Sequence, residues 1–404
     1  MATGYLEILR ARHAARLLAG TLVGRLPNAT AAIAIVLFVR AEGGTYTLAG
    51  ALAAVYGVAN AVGQPVLGRI VDLRGQPRVQ LPAAVLSALA MAVFAFSGIG
   101  SLPLAYAAVA GAGLFTPPLE GGLRALWPSV LRREDQVHTA YAMDAVAQEV
   151  MFTVGPLLVL NVVGVLGALS VVVSAPSRAW RSAPRDAHWL GALRSPGLLA
   201  LLAAFLFIGM ALGSITVASV PYADDHGGDA VYGWLMAALG FGALVGGAVY
   251  GARQWAGEPA RRLRVLVALL VVCYLPLMLM PDAVPMVALT ALAGVFLAPA
   301  IACAFVLVDR HAPRGTVTEA FSWLVTTFTV GHSVGTGVAG PVVEAGGALW
   351  GFAVPGVAGG VSLLVLTATG RVVAAPGQGA VVAAGSENDP NRAVEPRFSS
   401  GDRA

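Results

Sequence analysis

Three ionisable residues interrupt long apolar runs in this chain: Arg25, Asp144 and Glu149. An ionised side chain at the centre of a bilayer costs about 2.5–3.5 kcal/mol on insertion scales, so residues of this kind mark ion or solute paths by default. Counted at 1.5 Å per residue from helix starts near positions 14 and 139, Arg25 lies about 16 Å deep and Glu149 about 15 Å, both near a midplane. They are expected to pair, with a solute or a proton competing for either partner. The same pair would equally serve as a permanent ionic lock between two helices. Asp144, only about 8 Å in on the same count, is expected to answer Arg124 at the inner surface as a structural contact.

Neutral polar residues add a second set of candidates. Tyr56, Asn60 and Gln64 recur at i, i+4 and i+8, one stripe of a helix. With Asn28, Thr216, Thr326, His332 and Ser333 they are candidate walls of a solute cavity, although such a stripe also bonds helix to helix. His332 among glycines is read both as a proton carrier and as an interhelical donor. Two enzyme-like patterns are rejected. Gly331-His-Ser333-Val-Gly335 fits a nucleophile elbow, but no histidine follows His332 and the flanks are apolar helix. Gly335-Thr-Gly337-Val-Ala-Gly340 fits a dinucleotide fingerprint without its strand. Both are better read as small residues for close helix packing. The turn Asp224-Asp-His226-Gly-Gly-Asp229 is expected to be solvated, and the lone thiols Cys273 and Cys303 sit in apolar runs. No enzyme, cofactor or metal site is expected.

The elements that must hold these residues are membrane helices. The chain is 57% hydrophobic and 11% charged, with a mean hydropathy of +0.77, whereas about a quarter of a globular protein is charged. Lipid is therefore its main solvent, and no nucleic-acid partner is read from its basic balance. Apolar runs long enough to cross about 30 Å of hydrocarbon fall near 15–39, 46–67, 80–99, 103–126, 196–222, 230–251, 265–281, 285–308, 317–341 and 347–370. With the amino terminus inside, 23 of the 25 basic residues, all arginine, fall on the inner face, which satisfies the positive-inside rule. That places residues 177–195 inside, so 139–176 must cross twice. Gly335 to Arg371 spans 36 steps but Gly155 to Arg178 only 23, so the fifth and sixth spans are expected to be short, turning near Asn161–Gly167. One kinked or re-entrant segment is the rival reading.

The chain also repeats itself. Setting Gly50 on Gly233 matches 8 of the 20 residues from 49 to 68, where composition alone gives about two. This is the parallel duplication of many secondary transporters. The expected domains are 1–176 and 196–371 as two transmembrane bundles, 177–195 as a cytoplasmic linker, and 372–404 as a disordered cytoplasmic tail.

Between the second and third spans stands Gly68-x-x-x-Asp72-x-Arg74-Gly75-x-x-Arg78. This loop resembles the signature of the major facilitator superfamily, with Leu73, Gln76 and Pro77 where bases are usual. The resemblance implies an all-α membrane fold of two six-helix bundles (12 transmembrane helices). It also implies that Asp72 is held at the start of span 11. Here that start is Thr316-Val-Thr-Glu319, a capping-box pattern whose exposed N–H groups favour an acid. Gly68, Asp72, Arg74, Gly75 and Arg78 are thus the candidate gate. Gly155-Pro156 looks like a remnant of the exporter motif. Ala142–Pro156 and Gly24-Arg-Leu-Pro27 look similar to actinobacterial efflux-type members, though Thr216 stands where those often carry an acid.

The function implied is proton-coupled export of a small organic compound by a monomer in the inner membrane, with both termini cytoplasmic and Arg25, Glu149 and Asp144 as coupling residues. The shortened spans leave a non-transporting sensor or scaffold as the alternative.

Overall fold

A computed structural model of the chain describes residues 5–11, 13–44, 46–131, 133–154, 171, 173, 175–180, 190–253, 255 and 257–375. The side chains of Glu149 and Asp229 lie outside the described residues. The main helices are α1 (Tyr5–Arg10), α2 (Ala14–Ala41), α3 (Tyr46–Arg74), α4 (Gln76–Ser97), α5 (Leu102–Leu114), α6 (Leu119–Val130), α7 (Glu134–Val154), α8 (Pro196–His226), α9 (Asp229–Gly251), α10 (Pro259–Tyr274), α11 (Ala283–Gly294), α12 (Leu297–His311) and α13 (Val317–Ala368). No strand occurs among the described residues. Helices satisfy their own backbone groups, which is what a chain in lipid requires.

Eight helices or helix pairs are apolar and long enough to span a membrane. Large side chains such as Phe96, Val284 and Leu279 stand exposed around them, as on a surface meant for lipid. The fourth crossing is the pair α5–α6, broken where Pro117 and Pro118 lack N–H groups to continue the ladder. The pair α11–α12 makes the corresponding crossing of the second half.

Glycine packing shows the internal repeat in three dimensions. A Cβ on Gly63 would collide with the carbonyl of Leu114, and one on Gly113 with that of Tyr56. In the second half Gly246 meets Val295 and Gly294 meets Leu239 in the same way. Tyr56 and Leu239 are equivalent in the sequence repeat, so each half brings its second and fourth crossings backbone to backbone through the same two glycines.

The 52-residue α13 is two crossings, because Gly347 is non-helical at φ 75°. Helix α8 shows that the chain doubles back there. It meets the first limb in parallel, with Gly331 against Leu206 and Gly335 against Met210. It meets the second in reverse, with Ser362 donating to the Ala204 carbonyl at 2.9 Å and Gly351 against Ala218. The enzyme-like patterns around Ser333 and Gly335 are therefore part of a helix packed face to face on α8.

The fifth span departs from expectation at its start. Helix α7 starts at Glu134, ahead of the expected start near 139, and is described for 21 residues to Val154; the end of this span, where the shortening is expected, lies outside the described residues. Glu134 and Asp135 occupy its first turn, where the helix dipole favours acids, and they carry the helix five residues upstream of the apolar run. The turn expected at Asn161–Gly167, the sixth span, Gly155-Pro156 and the tail beyond 375 lie outside the described residues. Of the linker, the short helix Ala175–Ala179 and a 3-10 turn at Gly191–Arg194 are described. Ser195 caps α8 by accepting from the Leu198 N–H at 3.3 Å.

Replacing Gly246 by leucine is expected to cost about 1–3 kcal/mol by overpacking. A Cβ on Gly337 meets nothing within 4 Å, so Gly337→Ala should be nearly silent. Thermal unfolding of the two purified variants compares them directly.

Candidate functional site

The contact that the signature loop implies for Asp72 is present. The two carboxylate oxygens of Asp72, near the end of α3, accept from the backbone N–H groups of Thr318 at 3.1 Å and Glu319 at 2.8 Å. These belong to the first turn of α13, whose N–H groups have no acceptor within the helix. The capping box itself does not form. The Thr316 hydroxyl donates to the Pro313 carbonyl at 2.7 Å, and the Glu319 carboxylate accepts from the Ala192 N–H of the linker at 3.3 Å. An ionised carboxylate accepts more strongly than a hydroxyl. Asp72 therefore takes over the capping from the other half of the chain.

Close approach makes this possible. A Cβ on Gly68 would stand 2.6 Å from Ser322 Oγ, and one on Gly121 2.9 Å from the Thr318 carbonyl. Gly75, at φ 84°, turns the chain from α3 into α4. Arg74 and Arg78 are exposed beside it.

Above the gate lies a buried charge cluster. Arg25 of α2 reaches Glu120 at 2.8 Å and Asp144 at 3.2 Å, while Arg124 of α6 reaches Asp144 at 2.7 Å and Glu120 at 3.5 Å. Arg124 also donates to Gln148 at 2.9 Å. Arg124 and Asp144 are fully buried, and Glu120 is the most accessible member at 14%. Two guanidinium groups and two carboxylates balance to zero charge, as burial in an apolar surround demands.

Arg124 is buried within the helices, and its expected pairing with Asp144 is present. Arg25 has Glu120 and Asp144 as its described partners, while the expected Arg25–Glu149 pairing lies outside the described residues. Helix geometry explains the choice of Asp144. With α7 starting at 134, Asp144 sits about 15 Å along the helix, level with Arg25, and Glu149 about 22 Å.

Glu120 was missed by sequence reasoning. Its signal was an acid–base pair spaced i, i+4 inside an apolar run, Glu120 with Arg124.

One face of Arg124 makes no hydrogen bond through Nη1. Instead the guanidinium carbon lies 3.7 Å from the Phe305 ring centroid and 5.8 Å from that of Phe321. Both rings belong to the second half, and Tyr141 closes the group at ring distances of 6.1 and 6.0 Å.

The polar stripe on α3 is bonded to its neighbours. The Tyr56 hydroxyl donates to Asn28 Oδ1 at 3.1 Å and lies 3.3 Å from Thr116 Oγ1. Asn60 donates to Asn28 at 3.1 Å, and Gln64 to Asn60 at 3.3 Å and to the Thr116 carbonyl at 3.1 Å. The cavity beside them, about 30 Å³, has room for water only. Thr326 donates across the halves to the Ala61 carbonyl at 3.3 Å. Thr216 and Ser333 bond within their own helices, and His332 is half-buried with its backbone against Gly213. No metal-binding group of His, Cys, Asp and Glu occurs among the described residues.

Asp144→Asn leaves two buried guanidinium groups with one carboxylate. Breaking a buried pair costs about 3–5 kcal/mol, so thermal unfolding of this variant should show a loss of that order. Asp72→Ala should leave the fold intact and lower the cross-linking of a cysteine pair placed across α3 and the start of α13, as the two separate.

Against known proteins, the family model of the Major Facilitator Superfamily matches residues 17–335. No curated protein sequence matches the chain. Among solved structures, the human organic anion transporter MFSD10 (TETRAN) is similar at a TM-score of 0.66 and 17% identity, covering 87% of this chain and 98% of that one. A bacterial homologue of the iron transporter ferroportin, in an outward-facing state, gives 0.68 and 14%, covering 89% and 100%. A variant of the Escherichia coli fucose:proton symporter FucP gives 0.64 and 15%, covering 87% and 97%. At these identities the structures establish the fold alone; the family model spans most of the chain, and with the gate geometry above it places this chain in the Major Facilitator Superfamily, a family of transporters and not of enzymes.

Proposed function

We propose that this transporter exports a small organic compound in exchange for protons by alternating access, as a monomer in the inner membrane with both termini cytoplasmic. The cluster of Arg25, Glu120, Arg124 and Asp144 is its coupling centre, and Asp72 against α13 is its inner gate. The observation that carries this reading is the divided attachment of Arg124. Its charge is met by carboxylates of the first half, and its open face lies on Phe305 of the second.

Protonating Glu120, the most accessible member, leaves one buried positive charge in excess. A charge of this kind in an apolar surround must find an anion, shed the proton or rearrange. Rearrangement of Arg124 changes its contact with Phe305, and so the fit between halves. A desolvated cation–π contact is worth about 2 kcal/mol, which is within the usual 1–3 kcal/mol of coupling between sites. Glu149, on the same helix as Asp144, is a further coupling candidate.

Orientation follows from the arginine-rich loops, which the positive-inside rule puts in the cytoplasm. Helix α13 is mostly buried from Thr318 to Thr326 and exposed at Thr329 and Ser333, in keeping with a crevice closed at the gate and open beyond it. The solute path is assigned to this crevice, between Asn28, Tyr56, Asn60 and Gln64 on one side and Thr216, Thr326, His332 and Ser333 on the other. A proton symporter and an organic anion transporter are among the similar structures, which supports a small organic solute for this fold.

A thermostability screen of small organic compounds on the purified protein would supply a substrate for proteoliposomes with an imposed pH gradient. Glu120→Gln is expected to lose accumulation at least tenfold while still equilibrating the compound. Full gradient-driven accumulation by Glu120→Gln would remove that residue from coupling, and the same result for Glu149→Gln would remove Glu149. Phe305→Leu, which keeps the apolar volume, should weaken accumulation with little effect on folding.

A further inference from the structure

Separate from the charge cluster, a cleft of about 560 Å³ opens between the start of α7 and the α9–α10 turn. That volume is within the range of small-ligand sites. The cleft joins the two halves, with Glu134 and His138 on one wall and Arg253, Trp255, Arg262 and Arg310 on the other.

Its acids are already engaged. Glu134 accepts from Arg310 at 3.3 Å, and Asp135 from Arg133 at 2.9 Å. Among the described residues, Arg253 and Arg262 form no ion pair. Arg262 is instead held by neutral acceptors: the Tyr250 hydroxyl at 3.2 Å and the carbonyls of Trp255 at 2.9 Å and Gly257 at 3.2 Å. These fix the guanidinium without cancelling its charge and leave part of its five-donor fork unused. The indole of Trp255 stacks on Tyr250 at 5.0 Å and lies 5.8 Å from the Arg262 guanidinium, so the fork is braced by flat rings as well.

An oriented guanidinium without a carboxylate partner, here Arg262 with the exposed Arg253 in the same cleft, matches the geometry of phosphate oxygens. We propose that this cleft is a phosphate-binding site, which takes a phosphate-bearing anion between Arg253 and Arg262. Because its walls come from both halves, the ligand binds the closed-gate arrangement better than an open one. It shifts the equilibrium by that difference in affinity.

The anion has two sources, the headgroup of an anionic phospholipid or a soluble phosphate compound, and the test distinguishes them. Full-length protein is reconstituted in phosphatidylcholine nanodiscs and its melting temperature followed on adding inorganic phosphate against equal ionic strength of chloride. It is also followed on replacing part of the lipid by phosphatidylglycerol. Wild type and Arg314→Gln, an exposed arginine outside the cleft, should gain stability with at least one source, and Arg253→Gln should lose at least half of the gain. Arg262→Gln should behave alike if it folds. A response to phosphatidylglycerol alone assigns the site to lipid, and one to inorganic phosphate alone to a soluble anion. No gain from either source, or an equal gain in Arg253→Gln, overturns the proposal. Binding is read without transport, so its failure leaves the transport reading intact, and the reverse.

Discussion

A guanidinium buried among apolar helices must bring its counter-charge with it, and in this protein two of them share two carboxylates. Arg25 and Arg124 enter from α2 and α6, and Asp144 on α7 bonds both. The positions of α2, α6 and α7 in the first bundle are therefore constrained by a charge balance as well as by packing. Apolar contacts tolerate small slips, but a buried ion pair broken on one side costs several kilocalories per mole. Helices α2, α6 and α7 are held in one axial register for that reason. The fourth crossing is broken at Pro117 and Pro118, just ahead of Glu120. The break frees α6 to adopt the direction its two charged residues need.

The second constraint is distance between backbones. Glycines at Gly63, Gly113, Gly246 and Gly294 remove the side chains that would hold neighbouring crossings apart. Within each half this gives rigid pairs, since packing in lipid gains from close van der Waals contact and not from expulsion of water. Between the halves the contacts are of another kind. Asp72 on backbone N–H groups of α13 and Arg124 on an aromatic face are directional and polar. They can be exchanged for water or for other partners. Rigid bundles joined by exchangeable polar contacts are the physical requirement for rocking about a central path. The linker joins this arrangement at the gate, since Glu319 receives the N–H of Ala192 from the same turn that Asp72 caps.

Much of this was legible in residue order. The contact of Asp72 followed from a glycine-spaced turn and from a helix start with free N–H groups, because both ends of that contact are marked locally. Close packing of α13 was legible from its glycines. The charge cluster was only half legible. Depth along a helix depends on where the helix begins, and a five-residue shift at Glu134 exchanged Asp144 for Glu149 as the residue level with Arg25. Glu120 and Arg124 stood near the end of an apolar run, where an exposed and a buried orientation give the same sequence pattern. The capping box failed for a related reason, since Thr316 and Glu319 fit a local cap only when no stronger acceptor arrives from elsewhere.

By itself the sequence determined that this chain lives in lipid, that it is duplicated and which loop carries the family signature. Each of these depends on composition or on neighbours within a few residues. Only the tertiary structure decided which acid meets which arginine, that Asp72 supplies the cap of α13, and that a ring of the second half lies on a cation of the first. Those contacts join residues from 20 to more than 240 positions apart, and nothing in local spacing ranks one distant partner above another until helix starts and tilts are set.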